Sequence, residues 1–105
     1  MQLFNTRGHK LQQFTPLHPD SIRMYSCGPT VYNHAHIGNL SSYIYADILR
    51  RTLRQCFGTT KHVMNITDVD DKTIRDSLAK YPDQPPRQAL QRLTDHYQQI
   101  FLDEM

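Results

Sequence analysis

Apolar and polar positions alternate in short runs near the start of the chain, and the spacing then lengthens to three- and four-residue steps. Leu3-Phe4-Asn5 and Leu11-Gln12-Gln13-Phe14 read as a short hairpin around Arg7-Gly8. Pro16 and Pro19 punctuate a turn. Ile22-Arg23-Met24-Tyr25-Ser26-Cys27 then alternates as a strand, which Gly28-Pro29 ends. From Ile37 onward, Ile37, Leu40, Ile44, Ile48, Leu49, Leu53 and Cys56 predict a helix with a core-facing stripe. Gly58 falls where a helix C′ residue with positive φ is expected. Lys61-His62-Val63-Met64-Asn65-Ile66-Thr67 predicts a second strand, with Ile66 inward.

Residues 22–67 thus read strand, loop, helix, strand. A crossover of that length joins parallel strands, so the expected fold class is α/β with a parallel sheet. Parallel sheets are covered on both faces, so more strands and helices are expected than this chain supplies. Asp70 to Ala79 opens another helix, whose early acids suit its N-terminal dipole. Tyr81-Pro82-Asp83-Gln84-Pro85-Pro86 breaks it. A last helix follows, with Leu90, Leu93, Tyr97, Ile100 and Phe101 on one face, and it reaches Met105 without a stop signal.

Composition narrows the class rather than the function. The 105 residues are 38% apolar and 21% charged, a globular balance. A chain of this length is expected to bury roughly 60–65% of the surface its unfolded form exposes, enough for one core. No apolar run approaches the roughly 18–20 residues that a membrane span needs. The first ten residues lack the apolar stretch of a secretory signal, so a cytoplasmic, reducing compartment is expected. Cys27 and Cys56 are accordingly read as thiols, Cys56 as a buried one on the helix stripe, and Asn65-Ile66-Thr67 as a coincidental glycosylation pattern. Net charge is only +2, split as +4 over residues 1–60 and −2 over residues 61–105. Arg50, Arg51 and Arg54 form a local basic patch compatible with RNA or phosphate, or with a solvated helix face.

The chemistry-bearing stretch is Cys27 to Asn39, joining the end of a strand to the start of a helix. Open α/β sheets place ligands there, and helix N-termini favour phosphate. Thr30, His34, His36 and Asn39 concentrate polar groups in this loop, and Gly38 permits close backbone approach. Neither a Walker loop nor a dinucleotide fingerprint is present. Cys27, His34 and His36 also offer a candidate zinc set, since zinc takes three or four N/S ligands. Asp68-Val69-Asp70-Asp71 opens like a calcium loop but lacks the Gly at position six, so that reading fails.

Met24-Tyr25-Ser26-Cys27-Gly28-Pro29-Thr30-Val31-Tyr32-Asn33, His36-Ile37-Gly38-Asn39 and Asn65-Ile66-Thr67-Asp68-Val69-Asp70-Asp71-Lys72 together resemble the N-terminal part of the cysteinyl-tRNA synthetase family. Leu3-Phe4-Asn5-Thr6 resembles its usual start. The resemblance implies a class I aminoacyl-tRNA synthetase with a Rossmann-like, HUP-type fold. Residues 1–80 would be the first part of the catalytic domain and residues 81–105 the start of a helical insertion. The implied activity activates L-cysteine with ATP, carried as its Mg²⁺ complex, and transfers it to tRNA(Cys). His36 and Asn39 take the catalytic positions; Thr30, His34, His36, Gly38 and Asn39 take the ATP-binding ones. The family signature usually ends in His where this chain has Asn39, which keeps a hydrogen-bond donor but loses the second imidazole. Gly28 and Thr67 fall at cysteine-contacting positions, and Cys27 at the first ligand of a Zn²⁺ that selects the substrate thiolate.

The family's second ATP-binding loop, its other zinc ligands, the rest of its sheet and its anticodon-binding region have no counterpart here. The resemblance therefore implies an N-terminal fragment or truncated form, catalytically insufficient alone and prone to self-association through open strand edges. Two alternatives stand beside it. One is the related ATP-dependent ligase joining cysteine to an amino-sugar; the other is a non-catalytic nucleotide- or metal-binding module.

Overall fold

A computed structural model describes all residues, 1–105. Strands β1 (Gln2–Asn5) and β2 (Lys10–Gln13) form an antiparallel hairpin with Asn5 opposite Lys10. The Asn5 side chain shapes the turn: its Oδ1 accepts from the Arg7 N–H and its amide donates to Gln12. The positive φ of this turn falls on His9 (46°), and Gly8 stays at negative φ.

Strand β3 (Ile22–Ser26), helix α1 (Ile37–Phe57) and strand β4 (Thr60–Met64) form the expected β-α-β unit, and the strands pair in parallel from Ile22↔Thr60 to Ser26↔Met64. The fold is thus α/β with a parallel sheet, of two strands only. Strand β4 ends three residues earlier than the sequence suggests. The pairing resumes as one isolated parallel bridge, Thr30↔Thr67, beyond both strand ends. Gly58 terminates α1 with φ +89° and donates its N–H to the Arg54 carbonyl, a conformation that glycine adopts without a Cβ penalty.

The α1 stripe is only partly core. Tyr43 and Leu53 are buried, and Leu40 and Leu49 half-buried. Ile37, Ile44 and Ile48 are exposed, Ile37 at 79%, and Cys56 is an exposed thiol instead of a buried one. A two-stranded sheet is too narrow to cover the whole apolar face of a 21-residue helix. The basic patch is also partly neutralised: Asp47 accepts from Arg50 and Arg51, each at 2.6 Å, leaving Arg54 outside the ion pairs. Those guanidiniums hold the Asp47 carboxyl below its ordinary range.

Helix α2 (Asp71–Lys80) and helix α3 (Pro86–Glu104) pack against each other across the Pro-rich break. Asp70 caps α2, accepting from the Lys72 N–H at 2.9 Å while its own N–H donates to Thr73 Oγ1. Thr73, Ser77, Ala89, Leu93 and Thr94 are buried, and all but Leu93 are small residues that let helices approach closely. The buried hydroxyls bond to backbone carbonyls, Ser77 to Ile74 and Thr94 to Leu90, so no buried side-chain polar atom lacks a partner. Edge-to-face aromatic pairs join the layers: Tyr43 with Phe101, and Phe14 with Phe57, both at 5.4 Å.

The core is thinner than one compact domain would give. The accessible surface is 7928 Å², against roughly 6100 Å² for a compact monomer of this mass. The molecule measures 55 × 28 × 25 Å. No helix is long and apolar enough to cross a membrane.

One backbone crossing is tight enough to test. A Cβ on Gly28 would strike the Asn65 carbonyl oxygen and stand 2.6 Å from Met64 Cγ. Gly28→Ala is expected to cost the upper end of the about 1–3 kcal/mol typical of overpacking, read as a lowered urea midpoint with little change in slope.

Candidate functional site

The loop from Cys27 to His36 leaves the carboxyl end of β3 and enters α1. It is stitched to the segment beyond β4. Gly28 N–H donates to Asn65 Oδ1 at 3.1 Å, Thr67 N–H donates to the Pro29 carbonyl at 2.8 Å, and Val31 N–H donates to the Thr67 carbonyl at 3.0 Å. Tyr25 OH also donates to Asn65 Oδ1, and the Asn65 amide donates to Thr67 Oγ1 at 2.9 Å. Asn65 therefore satisfies donors and acceptors from both motif segments at once. Val31, fully buried, anchors the loop from below.

At the other end of the loop, His36 is the N-cap of α1. Its Nδ1 accepts from the Gly38 N–H at 3.0 Å, while Asn39 Oδ1 accepts from the His36 N–H at 3.3 Å. With Nδ1 accepting, the neutral ring carries its proton on Nε2, which is left free to donate outward. Asn39 likewise spends its oxygen on the cap and keeps its amide NH₂ as a free donor. Gly38 serves this arrangement: a Cβ there would lie 2.8 Å from His36 Cε1.

A cleft of about 440 Å³ opens over this loop, within the range of small-molecule sites. Residues 28–36 and Asn39 form its floor, Tyr43 its back, Lys72 of α2 one side, and Tyr97 and Phe101 of α3 the other. Of the residues singled out from sequence, Gly28, Thr30, His34, His36 and Asn39 line it. Cys27, Gly38 and Thr67 do not. Thr67 is tied to the floor by the backbone bonds above, and Gly38 lies beneath the His36 ring. Cys27 is exposed, its Sγ 3.7 Å from the Gly28 carbonyl. Burial first, and the Cys27 thiolate second, raise the Tyr43 phenol above its ordinary pKa, so Cys27 lies within electrostatic reach of the back wall.

The three-ligand zinc set read from sequence is not assembled. No three His, Cys, Asp or Glu side chains converge as a metal site. The reason is local: His36 is turned onto Gly38, and His34 onto the Tyr97 ring at 5.5 Å and Glu104 at 3.8 Å. One exposed thiol cannot by itself hold a zinc ion, which needs three or four ligands.

Sequence reasoning missed Lys72, Tyr97 and Phe101 as cleft residues. Lys72 closes the Asn65–Lys72 motif but carries no spacing signal of its own. Tyr97 and Phe101 read only as core positions on α3. Tyr43 is buried against Phe101, whereas Tyr45 is exposed.

The family model for the tRNA synthetases class I (C) catalytic domain matches residues 13–105. A cysteine–tRNA ligase of Solibacter usitatus is 42% identical over 104 residues, covering 99% of this chain and 21% of that protein. One from Koribacter versatilis is 44% identical, covering 99% of this chain and 20% of that protein. One from Protochlamydia amoebophila is 52% identical over 81 residues, covering 76% and 17%. The chain spans about a fifth of the length of these curated relatives.

The Tyr43 shift carries a pH dependence. Its folded pKa lies above the unfolded value, so its contribution to stability is present below the ordinary tyrosine range and is lost as pH rises through the folded value. Alkaline denaturation followed by tyrosinate absorbance is expected to show a late-titrating phenol that disappears in Tyr43→Phe. In Cys27→Ser that phenol titrates earlier but remains late, because burial is the larger cause.

Proposed function

Because the chain belongs to the class I (C) tRNA synthetase catalytic-domain family, we propose that it is the ATP-handling part of a cysteine–tRNA ligase. The observation that carries this is the convergence of Thr30, His34, His36 and Asn39 in one cleft at the carboxyl end of parallel strands. The β3-α1-β4 unit supports a Rossmann-like, HUP-type catalytic domain, of which residues 1–80 form the first part. Residues 81–105 begin a helical insertion. The three relatives are cysteine–tRNA ligases, which favours tRNA over an amino-sugar as acceptor and gives no support to a non-catalytic module.

In this reading the Mg²⁺ complex of ATP lies over the start of α1. His36 Nε2–H and the Asn39 amide, both pre-aimed by the capping interactions, donate to phosphate oxygens as the α-phosphate is attacked by the cysteine carboxylate. Donors fixed before reaction need no reorganisation as charge develops, and each contributes about 2.7–4 kcal/mol. His34 and Thr30 contact the nucleotide. Gly28 and Thr67 border the cysteine, and pyrophosphate leaves as the cysteinyl-adenylate forms. Cys27 contributes one soft ligand toward a Zn²⁺ whose remaining ligands come from elsewhere in the enzyme; the chemistry such an ion supplies is preferential binding of a thiolate. A cytoplasmic enzyme working on tRNA(Cys) is the corresponding cellular setting. The exposed Ile37, Ile44 and Ile48 face supports self-association of the chain on its own.

Two measurements test this. In ATP–pyrophosphate exchange with cysteine, a full-length ligase carrying this segment is expected to lose about 10²–10³-fold in rate on His36→Ala, while the 105-residue chain gives no exchange. Unchanged exchange in the variant would sink the assignment of His36. Metal analysis of the purified chain is expected to find zinc well below one per molecule; tight stoichiometric zinc would contradict the single-ligand role of Cys27.

A further inference from the structure

Lys72 is the single Lys or Arg lining the cleft, and no Asp or Glu lines it. Glu104 stands at the rim against His34, 3.8 Å away. Lys72 takes part in none of the four ion pairs of the molecule. Its ammonium instead rests 5.2 Å from the centre of the Tyr32 ring, which belongs to the cleft floor. The placement runs against local helix preference. Lys72 is the second residue of α2, in the first turn, where the helix dipole favours anions. Asp70 and Asp71 satisfy that preference around it, and the Asp70 carboxylate bonds the Lys72 backbone N–H, leaving the ammonium free. A cation set against its own helix and directed into a pocket floored by hydrogen-bond donors marks a functional position.

We propose that Lys72 is an anion-binding residue of this cleft, its ammonium leaving the Tyr32 face to take a phosphate oxygen of a polyphosphate ligand. The proposal rests on the ATP reading above for the identity of the nucleotide, though the shared chemistry is polyphosphate. An exposed cation–π contact is weak enough to be exchanged for a charge-assisted hydrogen bond to phosphate. The four-carbon stem supplies the reach. The Tyr32 ring thus parks the charge at the site while no ligand is bound.

The test is calorimetric titration of the chain and of Lys72→Gln and Lys72→Arg with ATP, sodium tripolyphosphate and adenosine. Lys72 is exposed and its backbone cap bond survives substitution, so the variants keep the fold. The expected result is that Lys72→Gln binds ATP and tripolyphosphate about tenfold or more weakly, leaves adenosine affinity unchanged, and is largely rescued by Lys72→Arg. In the unsubstituted chain, the Tyr32 ring resonances shift on adding tripolyphosphate as the ammonium departs. Tripolyphosphate binding that depends on Lys72, without any adenosine binding, supports the anion role and removes the nucleotide reading. Unchanged ATP affinity in Lys72→Gln overturns the proposal and leaves the nucleotide reading standing. Equal loss of adenosine and ATP makes Lys72 structural and also overturns it. Binding of none of the three ligands overturns both.

Discussion

The candidate site depends on one side chain that belongs to neither of its helices. Asn65 accepts from Tyr25 OH and from the Gly28 N–H, and donates to Thr67 Oγ1. These bonds hold the loop after β3 to the loop after β4, just where the regular ladder has stopped. The Thr30↔Thr67 bridge then continues the parallel pairing for one more step. A hydrogen bond of this kind adds only about 0.5–1.5 kcal/mol net, but a buried partner left unpaired costs more. The tie therefore acts through register: it sets which residues of the loop face upward. Gly28 is the steric complement of the same contact, because any side chain there would displace the Asn65 backbone.

At the helix end the cap and the candidate chemistry share atoms. His36 Nδ1 and Asn39 Oδ1 are consumed in closing the first turn of α1. What remains on each side chain is a donor, Nε2–H on one and the amide on the other. An Asn in place of a second imidazole is compatible with this geometry, since it reaches back to the N-cap and still presents N–H groups outward. Removing either side chain thus disturbs helix initiation as well as ligand contact. A stability measurement must accompany any loss of activity at these positions.

Much of this was legible in the residues. The switch of apolar spacing from two to three or four located α1, and Gly58, with its positive φ, ended it as read. Asp70 capped α2, and the Pro-rich break separated α2 from α3. The loop residues Thr30, His34, His36 and Asn39 did come together. The misses share a cause. Periodicity reports which face a helix can bury, and not how much neighbouring surface exists to bury it, so Ile37, Ile44, Ile48 and Cys56 read as core and are exposed. The candidate zinc set counted donors along the chain without the hydrogen bonds that turn His34 and His36 apart. Lys72 and Tyr97 reach the cleft only through packing of α2 and α3, which no local pattern encodes.

That packing divides the site into parts of different robustness. The floor is fixed by the Asn65 network and the buried Val31, both within the β-α-β unit. The α3 wall reaches α1 and the loop through the Tyr43–Phe101 pair and the His34–Tyr97 contact. Aromatic pairs of this type are worth about 0.5–1.5 kcal/mol beyond the area they bury, and His34 is exposed. In an elongated molecule with few buried residues, α3 is therefore held less firmly than the floor it covers. If α3 swings outward, the phosphate-facing donors of His36 and Asn39 keep their geometry, since neither cap bond involves α3. What would be lost is enclosure, and with it the exclusion of water that strengthens those donors. Orientation of the ligand and its burial are thus separable properties here, the first set by β3, α1 and β4 and the second by α3.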